Sequence, residues 1–183
     1  MRFLINSIIG LLTLLYPFAV YMGTRYAEPW QIATAMCALL LLRLIASDSG
    51  QQWNRLLFMA GIIYCGFAIW SNNQISLLYY PALVNAVMLL LFSWSLHAPP
   101  SAIERIARLQ HPNLPPEGVI YTRRVTQVWC GFFILNGGIA LATAIWASFE
   151  LWSLYNGFIA YLLMALLFGG EYLVRLKTQK HVR

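Results

Sequence analysis

Long apolar runs, separated by short polar segments, dominate this sequence. The clearest pair lies between Arg123 and Arg175, where two apolar runs are joined by a short hinge. Arg123 and Arg124 precede the first run, Asn136 lies near its middle, and Glu171 and Arg175 close the second. A helix needs about 20 apolar residues to cross the hydrocarbon layer of a membrane. The stretch therefore predicts a membrane hairpin whose few polar residues sit at defined depths.

Composition extends this interpretation to the whole chain. It is 60% hydrophobic and only 10% charged, whereas soluble domains contain about 25% charged residues. We predict an all-α fold: a single polytopic membrane domain, residues 1–183, with six transmembrane helices and one short cytoplasmic interfacial helix. The predicted spans cover residues 3–22, 30–46, 56–70, 75–96, 125–147 and 151–174. We expect the first to be an uncleaved span, because no small-x-small cleavage pattern follows it closely.

The polar loop 97–124 is the only substantial polar segment. Within it, Ser101 and Glu104 have the spacing of a capping box after two prolines. A narrow apolar face with two arginines beside it follows: Ile103, Ile106 and Ala107, with Arg105 and Arg108. This pattern predicts a short amphipathic helix on the membrane surface.

Charge predicts the orientation. With six spans and a cytoplasmic N-terminus, one side of the membrane receives all but one of the 12 Lys and Arg residues, and the other receives only Arg25. The larger group is Arg2, Arg43, Arg55, Arg105, Arg108, Arg123, Arg124, Arg175, Lys177, Lys180 and Arg183. Short cytoplasmic loops carry the excess of positive charge in membrane proteins. Both termini are therefore predicted to be cytoplasmic.

Polar residues inside the spans are candidates for function. Asn85 and Asn136 lie near mid-membrane, where an unpaired amide is costly; they predict either interhelical hydrogen bonds or a substrate-lining role. Glu171 precedes Arg175 by one helical turn, which favours an ion pair. The alternative for Glu171 is binding of a headgroup, a proton or a partner.

Small residues predict where helices approach closely. Gly131, Gly137 and Gly138 lie in the fifth predicted span, and Gly169 and Gly170 lie in the sixth. Glycine at such positions allows two helix backbones to pack closely. A flexible hinge or a lipid slot is the alternative interpretation.

Four arginines form a predicted basic collar at the cytoplasmic surface: Arg105, Arg108, Arg123 and Arg124. Such a collar contacts anionic lipid and can also attract an acidic protein. With Asn136, Glu171 and Arg175, these arginines are the candidate lipid-binding or partner-binding residues. No nucleic-acid partner is expected, because the basic residues punctuate apolar runs instead of clustering on one face. The oligomeric state is left open.

No recognised catalytic or metal motif is present. Cys37, Cys65 and Cys130 form no CxxC pair. Neither His97 nor His111 has an aspartate at the spacing used by glycerolipid acyltransferases, and the common nucleotide, hydrolase and zinc-protease motifs are absent. We therefore predict no metal and no cofactor, and favour a protein that is not an enzyme.

Two C-terminal segments carry a family likeness. Residues 99–144, PPSAIERIARLQHPNLPPEGVIYTRRVTQVWCGFFILNGGIALATA, and residues 152–175, WSLYNGFIAYLLMALLFGGEYLVR, resemble small bacterial inner-membrane proteins encoded within aryl polyene and related pigment-lipid biosynthesis clusters. The first four spans match only in general character. The resemblance implies a place at the bacterial inner membrane beside acyl carrier proteins, ketosynthases, acyltransferases and an exporter. A fainter resemblance is to the intracellular septation protein A family, and neither family supplies a catalytic residue.

Three functions follow as hypotheses. The first is a non-catalytic accessory or scaffold protein of an aryl polyene-type lipid pathway; the others are a small lipid transporter or flippase, and a membrane enzyme of unrecognised type. Pro81 is the only central break predicted in a span, whereas transporters use paired broken helices. An enzyme would gather Glu171, His97 and Arg124 around one pocket. A closed seam around Asn136 would favour the scaffold.

Overall fold

Helices account for nearly all of the structure. The computed structural model describes residues 26–46 and 52–180, and within these residues there is no strand. The elements are α1 (Pro29–Ala46), α2 (Gln52–Ser71), α3 (Gln74–Leu78), α4 (Tyr80–His97), α5 (Ala102–Gln110), α6 (Pro116–Trp146), α7 (Phe149–Leu154), a π-helical turn (Tyr155–Ile159) and α8 (Ala160–Lys180). The predicted all-α class is confirmed for this part of the chain.

Three of the described segments are long and apolar enough to cross a membrane. They are Ile75–His97, Pro116–Trp146 and Phe149–Arg175. Two shorter apolar helices cover Pro29–Leu42 and Phe58–Ser71. The predicted first span, residues 3–22, lies outside the described residues. The chain thus has the helices of a membrane protein, while the total of six spans stays a prediction.

Helix α6 begins earlier than its predicted span. Its first residue is Pro116, so the end of the predicted polar loop 97–124 is helical and continues directly into the apolar run. Proline fits the first helical position, because the N–H that it lacks would have no partner inside the helix there. Hydropathy located the apolar part of α6 and missed its polar first turns.

Asparagines organise the turn between α2 and α3. Asn72 adopts a positive φ of 41°, a conformation that asparagine tolerates better than most residues. Its side-chain oxygen accepts a hydrogen bond from the backbone N–H of Trp30 (3.2 Å). Asn73 caps α3 by accepting from the backbone N–H of Ile75 (2.9 Å). The start of α1 is thereby held to the end of α2, as in an antiparallel hairpin.

A hydrophobic core lies between this hairpin and α7. Trp152 is fully buried there, with 0% of its surface exposed, and its ring stacks on Phe149 at 5.7 Å between centroids. The buried members of the core are Ala33, Met36, Leu40, Phe58, Cys65, Ala68, Leu77, Tyr80 and Trp152. The core joins the start of the last apolar segment to the α1–α2 hairpin.

Helices α4 and α6 have the most extensive contact of any two described helices. A Cβ atom built on Gly137 would lie 2.8 Å from the Cβ of Asn85. The helices can therefore cross this closely only because residue 137 is glycine and has no side chain. Nearby, Phe92 of α4 meets Phe133 of α6 edge to face at 5.1 Å. The glycine brings the two backbones close enough for short polar side chains to bridge them.

The other four predicted packing glycines are different. A Cβ atom on Gly131, Gly138, Gly169 or Gly170 would meet no other described atom within 4 Å. Helix α8 is also mostly exposed over residues 160–175. Its contact with α6 includes Phe168, whose ring lies 4.6 Å from that of Trp129. Of the five glycines predicted to pack helices, only Gly137 is in close contact. A second close approach within the described residues is at Gly61 of α2, where an added Cβ would lie 2.8 Å from Cδ1 of Leu40 in α1.

The adjacent glycines of α6 give a matched test of this crossing. We expect Gly138→Ala to raise the free energy of unfolding by up to about 1 kcal/mol, because alanine favours helix and the site is open. Gly137→Ala is expected to lower it by about 1–3 kcal/mol, because the new methyl group overlaps Asn85. Titration with a denaturing detergent, followed by circular dichroism, measures both. Equal effects of the two variants would contradict the packing described.

Candidate functional site: a buried polar seam

Two asparagines bridge α4 and α6 in the apolar part of the bundle. Asn136 donates through Nδ2 to Oδ1 of Asn85 at 3.1 Å. Both residues are buried, with 5% and 9% of their surfaces exposed. The pair was singled out in the sequence because both are predicted to lie near mid-membrane, and the structure brings their amides into direct contact.

A tyrosine and a backbone carbonyl extend this pair. The hydroxyl of Tyr155 donates to Oδ1 of Asn136 at 2.9 Å, and Nδ2 of Asn85 donates to the carbonyl oxygen of Pro81 at 2.8 Å. The side chains of Asn85, Asn136 and Tyr155 are called the polar seam below. Each amide of the seam has one hydrogen-bond partner at its oxygen and one at its nitrogen, and the seam is called closed in this sense.

Tyr155 belongs to an interruption that the sequence analysis missed. Residues Tyr155–Ile159 form a π-helical turn between α7 and α8, and Asn156 within it donates to Thr143 Oγ1 at 3.2 Å and to the carbonyl of Trp152 at 2.9 Å. Single π turns inside helices are frequent at functional sites. The dipeptide Asn156–Gly157 in an apolar run was the available signal, since this pair commonly marks a local irregularity.

The two interrupted spans touch each other. Leu78 ends α3 just before the α3–α4 break at Tyr79, and its carbonyl oxygen accepts a hydrogen bond from Nε1 of Trp152 at 3.0 Å. The last carbonyls of a helix have no partner inside it. The indole therefore satisfies a group that the break leaves available, and it links the two interruptions directly.

Glu171 lies in a separate cluster between α6 and α8. The hydroxyl of Tyr121 donates to its carboxylate at 3.2 Å, and Nε of Arg175 lies 3.9 Å from the same carboxylate oxygen. The Arg175 guanidinium also lies over the ring of Tyr172, 5.5 Å from its centroid. The spacing of Glu171 and Arg175 anticipated their proximity. Nothing in the pattern pointed to Tyr121, which lies 50 residues before Glu171.

The four arginines of the predicted collar fall into two groups. Arg108 bonds to Glu104 through Nε (2.9 Å) and Nη2 (2.7 Å), and through Nη1 to the carbonyl of Pro112 (3.1 Å). Arg105 donates from Nε to the carbonyl of Pro100 at 2.9 Å. Arg123 and Arg124 are exposed on α6. The first group stabilises its own segment, and the second faces outward.

The titratable groups proposed for an intramembrane reaction have separate partners. His97 Nδ1 is 3.0 Å from the carbonyl of Ser93 on its own helix, and Glu171 contacts Tyr121 and Arg175. Within residues 26–46 and 52–180, no hydrogen bond or ion pair joins His97, Glu171 and Arg124 to one another. The same residues contain no group of three or more His, Cys, Asp and Glu that could hold a metal ion.

Comparison with known proteins identified no relative of this chain. No protein-family model, no curated protein and no solved structure matches the chain. The resemblance to proteins of aryl polyene clusters accordingly stays a prediction, and the function has to be argued from the site itself.

The polar seam can be tested by a double-mutant cycle on Asn85→Ala and Asn136→Ala. We expect each single variant to lower the free energy of unfolding by about 1–3 kcal/mol, because each leaves a buried amide unpaired. The coupling between them is expected to be about 0.6 kcal/mol, the average for hydrogen bonds between membrane helices. Detergent-induced unfolding measures all four proteins.

Asn113→Ala provides the control, because Asn113 is exposed in the loop before α6. Its free energy of unfolding should match that of the wild type. A coupling near zero between Asn85 and Asn136 would show that their contact does not stabilise the bundle.

Proposed function

We propose that this chain is a non-catalytic membrane scaffold or accessory protein that anchors cytosolic enzymes of a lipid-biosynthesis pathway. The observation that carries the proposal is the closed polar seam. Asn136, the most central polar residue of the last two spans, is engaged at both its oxygen and its nitrogen by Tyr155 and Asn85. A side chain committed in this way fixes helices to each other, which is what a scaffold requires.

The distribution of titratable groups supports the same proposal. An active site needs at least two such groups converging on one reacting atom. In the described part of the chain, Glu171 accepts a hydrogen bond from Tyr121, and the ring of His97 lies against the carbonyl of Ser93 on its own helix. Each of these two groups therefore contributes to local structure, and their separation favours a non-catalytic role over the enzyme hypothesis.

The exposed end of α6 supplies a surface for partners. The helix has 31 residues and measures about 46 Å at about 1.5 Å per residue, whereas the hydrocarbon layer is about 30 Å thick. Its polar start, which carries Arg123 and Arg124, therefore extends beyond the hydrocarbon. Two adjacent exposed guanidinium groups attract an acidic protein and speed encounter with it.

The identity of the partner and the location follow from the resemblance and the charge pattern. Acyl carrier proteins are the partners implied by the likeness to aryl polyene clusters, and their acidic surfaces complement Arg123 and Arg124. We place the chain in the bacterial inner membrane with both termini in the cytoplasm, because all but one of the 12 Lys and Arg residues fall on one side of the six predicted spans.

Lipid transport is the second candidate, and the π-helical turn favours it. Transporters form their substrate sites from discontinuous helices. Here the turn Tyr155–Ile159 and the α3–α4 break are joined through Trp152 and Leu78. This pairing was absent from the sequence interpretation, in which Pro81 was the only central break.

Docking is tested with Arg123→Ala/Arg124→Ala and with the charge-preserving Arg123→Lys/Arg124→Lys. The chain in detergent is mixed with a purified acidic acyl carrier protein from an aryl polyene cluster. We expect wild type and the lysine variant to bind in a salt-sensitive manner, and the alanine variant to lose at least tenfold in affinity. Isothermal titration calorimetry provides the measurement. Equal binding by all three proteins, or none by the wild type, would contradict the docking surface.

Transport is tested in proteoliposomes that contain a fluorescent phospholipid. As a scaffold, the wild-type chain should leave dithionite quenching at the level of protein-free vesicles, about half of the signal. Quenching well above that level, reduced by Asn136→Ala or Tyr155→Phe, would replace the scaffold with a lipid-translocating function centred on the polar seam.

A further inference from the structure

Helix α5 is turned so that Glu104 faces the protein. Glu104 is buried, with 5% of its surface exposed, and its carboxylate holds Arg108 one turn later at 2.7 Å. The carboxylate also accepts from the backbone N–H of Ser101 at 3.3 Å, in the capping box that the sequence predicted. The Glu104 carboxylate is thus directed inward, and the Arg108 side chain, which is 38% exposed, reaches it from the surface.

The first turn of α5 is fixed to both neighbouring helices. The backbone N–H of Ala102 donates to Ser95 Oγ of α4 at 2.9 Å, and that of Ile103 donates to Thr126 Oγ1 of α6 at 3.3 Å. The first N–H groups of a helix have no partner inside it. A helix of 9 residues is too short to be stable alone in water. These two bonds therefore stabilise the helix and fix its direction.

The outward side of α5 is apolar. Ile106 is 57% exposed and Leu109 is 79% exposed, and residues three apart lie on the same face of a helix. A surface helix of a water-soluble protein has the opposite arrangement, with its apolar stripe on the core and its charges outside. The orientation of α5 therefore suits an apolar environment on its outer side.

The depth of α5 follows from its two anchors. Ser95 and Thr126 both belong to helices long enough to cross a membrane, and Ser95 lies just before the end of α4 at His97. Trp94, next to Ser95, is 67% exposed, and tryptophan concentrates where hydrocarbon meets headgroups. Helix α5 is thus attached at the boundary of the hydrocarbon layer.

We propose that the Ile106–Leu109 face of α5 inserts into the boundary between headgroups and acyl chains of a phospholipid bilayer. The occupant of this face is lipid, because the face is apolar, sits at the end of two spans and lies opposite the buried carboxylate of Glu104. Interfacial helices bury their apolar side by about 5–10 Å in this region. The bonds from Ala102 and Ile103 to Ser95 and Thr126 position the helix for insertion, because they fix its first turn against α4 and α6.

Electron paramagnetic resonance of spin labels in the full chain tests this assignment. Ile106→Cys, Leu109→Cys and Asn113→Cys are made separately after alanine replaces Cys37, Cys65 and Cys130, and each is reconstituted into phosphatidylethanolamine–phosphatidylglycerol vesicles. Collisions with oxygen, which concentrates in lipid, are compared with collisions with a water-soluble nickel chelate. We expect labels at 106 and 109 to favour oxygen and the loop label at 113 to favour nickel.

Other results would overturn the proposal. Labels at 106 and 109 that favour nickel would place the face in water, and labels reached by neither reagent would place it against protein, such as a second copy of the chain. If the chain without cysteines does not fold, benzoylphenylalanine at Leu109 in the otherwise unchanged protein gives the same decision. Photocrosslinking should then yield a lipid adduct; a protein adduct, or neither adduct, would contradict insertion.

Discussion

An amide buried in an apolar environment must find a partner, and the arrangement of α4, α6 and the π-helical turn depends on this requirement. Leaving such a group unpaired costs several kcal/mol in hydrocarbon, whereas contact between apolar side chains discriminates poorly among helix faces when the surroundings are equally apolar. Asn85 and Asn136 are therefore the residues that determine which faces of α4 and α6 meet. Gly137 permits the approach, and Tyr155 adds the last apolar segment to the same contact.

Much of the helical architecture could be predicted from the sequence, because hydropathy and helix signals are local. Apolar run length located the long described helices and the Ser101–Glu104 spacing located α5, whereas the start of α6 at Pro116 fell inside the predicted polar loop 97–124. The relative rotation of the long helices could not be predicted. A helix that is apolar on every side carries no periodic signal of its packed face, so neither the contact of Tyr121 with Glu171 nor that of Tyr155 with Asn136 was foreseeable.

The candidate site was predictable only in part for a related reason. Asn136 and Glu171 stand out in the sequence because they are polar residues in apolar runs. The division of the four collar arginines depends instead on Glu104, whose burial follows from how α5 docks on Ser95 and Thr126. Arg108 forms an ion pair with that carboxylate, while Arg123 and Arg124 are exposed on the surface of α6. Composition counts all four alike, and tertiary structure assigns them different roles.

The indole of Trp152 has a consequence for the order in which the protein can be completed during synthesis. Leu78, whose carbonyl it satisfies, is made 74 residues earlier, and Asn85 precedes its partner Asn136 by 51 residues. A ribosome adds about 5–20 residues per second, so these groups wait seconds for the segments that pair with them. Until then the first half of the chain has unsatisfied polar groups. Its assembly is therefore completed by the last hairpin to emerge, and a chain that stops before Trp152 lacks the bond that joins Leu78 to the last apolar segment.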